Sequence, residues 1–130
     1  MSPEEEVRRA ADVLVAAFGS GDLEAYFGSF ADDSTFLFHT TDRLLPSTEE
    51  YRQEWARWIA EDGFRVLDCS TLDTEIQLFE DVAVLTHRVR TTVSSSAGTE
   101  VLRERETIVF ARRDGRWLAV HELLSPAPGA

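Results

Sequence analysis

Hydrophobic and polar positions change period about halfway along the chain. In the first half, Val7, Ala11, Leu14, Val15 and Phe18 recur at helical spacing. Ser2 as N-cap, Pro3 at the first helical position and Glu5 closing a capping box mark the start of this helix, and Gly19 and Gly21 mark its end. A short helix after Asp22 carries Leu23, Tyr26, Phe27 and Phe30 on its apolar side, and Ala31-Asp32-Asp33 reads as a turn. Thr35–Thr40 is β-branched and aromatic, as a strand requires. Ser47 and Glu50 form a second capping box, which opens a helix with Tyr51, Trp55, Trp58 and Ile59 on one face and Asp62-Gly63 at its end.

Beyond Gly63 the period becomes two. Four long strands are predicted, about Phe64–Phe79, Val82–Val93, Glu100–Arg112 and Arg116–Leu124. Their connections are short, so the strands form an antiparallel meander, with Asp114-Gly115 the strongest hairpin signal. Helices followed by a meander predict an α+β domain with helices packed on one face of a curved sheet. One domain spans residues 1–130, with 126–130 as a loose tail.

Folding each hairpin at its turn gives a register. Turns at Glu80-Asp81, Ala97-Gly98 and Asp114-Gly115 align Thr74, His87, Ile108 and His121 in one row. They place Glu106 diagonal to His121 and opposite Leu123. The same face receives Phe64, Val66, Asp68, Leu72, Ile76, Leu85, Val89, Phe110, Trp117 and Leu123. The other face receives Asp73, Glu75, Arg88, Arg90, Arg103, Arg105 and Glu122, a charge-complementary surface either solvated or set against another subunit. Cys69 falls on that outer parity, as a structural thiol.

An apolar face holding His87, Glu106 and His121 describes a small-molecule site. Burial drives a carboxylate toward its neutral form and lowers a histidine's pKa, which poises both for proton transfer. The expected catalytic groups are Glu106 and His121 as an acid/base pair, with His87 as a second polar contact. Expected ligand contacts are His39, Phe38, Trp55, Trp58, Asp68, Leu72, Val89, Leu123 and Tyr26. For each histidine the alternative is a structural role bonded to neighbours, and for Glu106 an orienting role toward His121 or an Arg. A zinc site from His39, His87 and His121 has no ligand spacing behind it, so neither metal nor cofactor is expected.

Composition narrows the partners. The net charge of −11 repels nucleic-acid backbones and anionic membranes alike. All 13 basic residues are Arg, which leaves no lysine for Schiff-base chemistry. No window approaches the roughly 18 apolar residues of a membrane span. The acidic start, Glu4-Glu5-Glu6, is unlike a signal peptide, and the single Cys69 excludes an internal disulfide framework, so a cytoplasmic protein is expected. There is no Gly-X-Ser-X-Gly elbow and no phosphate-binding glycine loop.

The order of elements, together with Arg105-Glu106-Thr107, Arg112-Arg113-Asp114-Gly115-Arg116-Trp117 and Val120-His121, resembles the NTF2-like superfamily, in particular its SnoaL-like branch. The C-terminal half is also similar to the association domain of calcium/calmodulin-dependent kinase II. The resemblance implies a cone-shaped fold with an internal pocket and homodimers through the outer face of the sheet. Members include isomerases, cyclases, epoxide hydrolases, dehydratases and proteins without demonstrated activity, so fold alone does not choose. Relatives with this tail often carry His-X-His, whereas here Leu123 stands at the second position. Two functions stay open: an acid/base enzyme (cyclase, isomerase or dehydratase) on a largely apolar organic substrate, or a non-catalytic ligand-binding or oligomerisation module. A protein-transport adaptor ranks last.

Overall fold

A computed structural model describes residues 1–128. The order is α1 (Pro3–Ser20), α2 (Leu23–Gly28), β1 (Phe30–Phe38), α3 (Thr48–Asp62), β2 (Arg65–Phe79), β3 (Val82–Ser95), β4 (Gly98–Arg113) and β5 (Arg116–Pro126). The strands form one curved sheet in the order β1-β5-β4-β3-β2, with β1 parallel to β5 and every other pair antiparallel. The α+β expectation therefore holds.

The cap of α1 forms as the sequence predicts, whereas the expected capping box of α3 forms only in half, the Glu50 carboxylate accepting from Arg43 instead of from the Ser47 amide. Ser2 and Glu5 bond reciprocally at the start of α1, and Ser47 accepts from the Glu50 amide at the start of α3. Gly21 and Gly63 close the two helices in the left-handed conformation, at φ 76° and 62°. Gly19, expected to stop α1, instead lies within it, where a Cβ would sit 3.3 Å from Cys69. Its bare backbone lets α1 approach β2. The Ala31–Asp33 turn is strand in the structure, since β1 begins at Phe30. The loose tail is shorter than expected. Pro126 pairs with Glu104, and the Ala127 amide donates to the Arg103 carbonyl. Residues 129–130 of that tail lie outside the described residues.

The core lies between the helices and the inner sheet face. Tyr26, Phe27, Phe30, Phe36, Phe38, Tyr51 and Trp55 are all buried and meet largely edge-on. Each ring removed from water stabilises the fold by about 1.5–3 kcal/mol.

The register departs from expectation at four places, and three of them reverse parity. In the β3–β4 hairpin Ser95 pairs with Gly98, so the loop is Ser96-Ala97 and His87 faces Glu106 rather than Ile108. The β4–β5 hairpin turns at Asp114-Gly115 as predicted, with Arg113 opposite Arg116. Farther along, Phe110 pairs with Ala119 but Val109 with His121, which leaves Val120 as an extra residue. This β-bulge turns Glu122 inward and His121 and Leu123 outward. The break lies where β1 pairing also shifts and the Ala119 amide donates to the Ser29 carbonyl. In β2 the pairing slips by one residue between Leu72 and Glu75, where Asp73 has φ 57°, which turns Cys69 inward and leaves Leu72 and Asp68 exposed; a second slip at Leu67 restores the parity, so Val66 again faces the core.

Candidate functional site

A cavity of about 480 Å³ opens between α1, α3 and the inner sheet face. Its walls are mostly apolar and aromatic: Leu14, Val15 and Phe18 from α1, Tyr51, Trp55 and Trp58 from α3, and Phe38, Phe64, Val89, Leu102 and Leu124 around them. The exposed Asp62, Ser96, Ala97 and Glu100 line its mouth. Strand alternation then carries Glu104 and Glu106 down β4 into the interior, and β5 adds Glu122.

These three glutamates are buried and each has a different environment. Oε2 of Glu104 lies 2.5 Å from Nε2 of His39, which anchors the turn after β1 to the cavity wall. Burial raises the Glu104 carboxyl above its usual range against the opposing pull of His39. Oε1 of Glu106 lies 2.6 Å from Nε2 of His87, directly across the β3–β4 ladder. Burial favours the neutral form of Glu106, but its hydrogen bonds with Glu122 and His87 and the pull of His87 outweigh that and hold it below the usual range. Glu122 goes the other way. Burial first, and then the neighbouring Glu106 charge, push its carboxyl well above the usual range. These opposite directions favour the neutral form of Glu122 beside the ionised form of Glu106. Oε2 of Glu122 is buried with no donor facing it.

Tyr26 and Tyr51 complete the group. Their hydroxyls lie 2.8 Å apart and fully buried, and burial pushes both phenols well above their usual range, so both remain neutral donors. Tyr26 also lies beside Glu122. The Cys69 thiol reaches the same cavity, where burial pushes it up to about 12, so it stays protonated and unreactive at neutral pH.

The cavity wall contains Glu106, Phe38, Trp55, Trp58, Val89 and Tyr26 among the residues singled out from sequence. His87 and His39 touch its carboxyls without lining it. Five expectations are corrected. His121 faces outward, its Nδ1 2.8 Å from the Thr35 hydroxyl, so it cannot partner Glu106. Leu123 is 38% exposed on that outer side, so the absent second histidine does not bear on the cavity. Leu72 is 51% exposed beside Arg88, and Asp68 lies on the surface. The acid paired with Glu106 is Glu122, which sequence reasoning had placed outside. The bulge at Val120 carries no marker such as Gly or Pro. Among the described residues no group of His, Cys, Asp and Glu is arranged to hold a metal ion, and no helix is long and apolar enough to cross a membrane.

Residues 7–128 match the SnoaL-like domain family. The chain belongs to the SnoaL-like family. No curated protein sequence matches it. Among solved structures, this SnoaL-like chain is similar to a putative calcium/calmodulin-dependent protein kinase II association domain from Xanthomonas campestris, at 20% identity and TM-score 0.80, over 100% of this chain and 91% of that one. An NTF2-like protein from Cytophaga hutchinsonii aligns at 16% identity and TM-score 0.81, over 98% and 100% of the two chains. The CaMKII hub of S. rosetta aligns at 21% identity and TM-score 0.78, over 98% of each. At these identities the likeness establishes the fold. The SnoaL-like domain here holds its polar groups at the floor of an aromatic cavity, joined by short hydrogen bonds.

Proposed function

We propose that this protein binds a small, largely apolar organic molecule and moves protons on it, with Glu122 as general acid and Glu106 as general base. The observation carrying this reading is the carboxyl pair. Two glutamates share one enclosed site while their surroundings drive their protonation apart, which is how acid and base roles are divided at neutral pH. Tyr26 and Tyr51 add neutral donors able to stabilise a developing oxyanion. His87 orients Glu106 and holds it ionised. Proton abstraction beside a carbonyl, with reprotonation elsewhere, suits these parts, as in isomerisation, dehydration or cyclisation. The test is turnover of β,γ-unsaturated ketones and β-hydroxy carbonyl compounds, followed by NMR in deuterated water. Glu106→Gln should abolish exchange and turnover while keeping the fold, and wild-type rates in that variant would overturn the assignment.

A second reading is an oligomerisation module, like the kinase hub that the fold resembles. It is favoured by the outer sheet face, where Leu37 and Leu123 are cross-strand neighbours and both are exposed. That face would also serve a homodimer of the enzyme. Native mass spectrometry separates these cases. A dimer retaining a small molecule supports the ligand reading, and a larger closed ring without one supports the hub reading.

A further inference from the structure

The cavity's ionisable lining has one sign. Asp62 and Glu100 stand at the mouth and Glu104, Glu106 and Glu122 inside, while among the described lining residues there is no arginine and no histidine. The two histidines that touch these carboxyls, His39 and His87, bond to Glu104 and Glu106 without lining the cavity. The chain's 13 arginines are all excluded from the cavity wall. An anionic ligand would enter a field of its own sign with no counter-charge, at a cost that a low-dielectric site magnifies. A cation would meet the reverse.

The apolar part of the lining points the same way. Trp55, Trp58, Phe64 and Tyr51 present ring faces and edges to one space, with Trp55 and Trp58 centroids 6.0 Å apart and Trp55 and Phe64 5.3 Å apart. Aromatic faces attract ammonium groups, most strongly away from water. Glu122 lines the cavity, and its Oε2 is buried without a hydrogen-bond partner. An N–H from a ligand supplies what that atom lacks.

From these features we infer that the cavity takes an apolar organic molecule bearing a protonated amine, whose ammonium is held by the Glu104, Glu106 and Glu122 carboxyls and the surrounding rings. This inference rests on the small-molecule reading of the cavity and names its ligand class. The acidic mouth would draw the cation in before the interior carboxyls hold it.

The test uses three probes with one apolar body: 4-phenylbutylamine, 4-phenylbutan-1-ol and 4-phenylbutanoic acid. Binding is followed at pH 7 by calorimetry and by tryptophan fluorescence, since two of the chain's three tryptophans line the cavity. The amine should bind about tenfold or more tighter than the alcohol, the size of one charge-assisted contact, and the acid should bind weakest. Glu106→Gln, which removes the ionised carboxylate, should weaken the amine several-fold and leave the alcohol unchanged. Equal binding of all three would overturn the amine inference while sparing the small-molecule reading, and tightest binding of the acid would overturn it outright. Binding of none at millimolar concentration would remove both.

Discussion

Nε2 of His87 lies 2.6 Å from Oε1 of Glu106, and both side chains are shut away from solvent. An ionised carboxylate in such a place needs its donors. Replacing His87 with Leu leaves the charge without one of them and should cost about 3 kcal/mol at pH 7, the usual penalty for breaking a buried pair. Because Glu106 is held below the usual carboxylate range, its stabilising effect is present above the unfolded-state value and is lost as pH falls through the folded one. The His87→Leu penalty should therefore shrink toward pH 4, as read by urea unfolding at both pH values. An undiminished penalty at acid pH would show that His87 contributes packing alone.

Glu122 has the opposite sign. Its carboxyl is raised, so the native state keeps a proton that the unfolded chain releases above the ordinary carboxylate range. Its contribution is fully present below the unfolded-state value and declines as pH rises toward the folded one. Gln mimics the protonated acid and does not titrate. Glu122→Gln should match wild type near pH 4 and exceed it in melting temperature by a margin that widens toward pH 8. A margin independent of pH would mean that Glu122 is ionised in the native state.

The Tyr26–Tyr51 hydroxyl pair should behave as a unit. Removing one hydroxyl takes away the other's partner at a buried site, whereas removing both leaves no such mismatch. Tyr26→Phe and Tyr51→Phe should each cost about 1–2 kcal/mol, and the double variant clearly less than their sum. Strict additivity in a double-mutant cycle would argue that the 2.8 Å contact contributes nothing.

Much of this site was legible in the sequence. Helix caps at Ser2 and Ser47, the period-two run after Gly63 and the Asp114-Gly115 turn placed the elements, and alternation alone set Glu106 and His87 on one face. What failed were parities downstream of unmarked bulges. One extra residue at Val120 exchanged His121 for Glu122, and one between Leu72 and Glu75 turned Leu72 and Asp68 out and Cys69 in, until a second at Leu67 restored the parity. A strand's side-chain period is two, so an insertion of one reverses everything beyond it. The insertion in β5 coincides with a break in its pairing with β1, a strand far earlier in the chain, and local pattern does not reveal such a contact.

Buried thiols offer a probe of the cavity itself. Cys69 is the sole cysteine, lines the cavity and is pushed up to about 12 by burial. At pH 8 it should react with iodoacetamide at least a hundredfold more slowly than free cysteine, since a very small fraction is thiolate. A bound ligand should slow it further. Rapid labelling at pH 8 would mean that the floor of the cavity is wet.

The outer face carries a tension that salt should expose. Arg88 pairs directly across the ladder with Arg105, and Arg90 with Arg103, so four guanidinium groups form a block on a chain of net charge −11. Like charges opposite one another destabilise a sheet, and the Asp73 carboxylate, 3.8 Å from Arg88, relieves only one corner. Screening weakens this repulsion between exposed groups. Arg105→Gln should raise the melting temperature at low salt, by an amount equivalent to about 0.3–1 kcal/mol, and the gain should vanish near 0.5 M salt. Loss of stability in Arg105→Gln at low salt, joined to a shift toward monomer in sedimentation, would show instead that the block is neutralised by acidic groups of a second subunit.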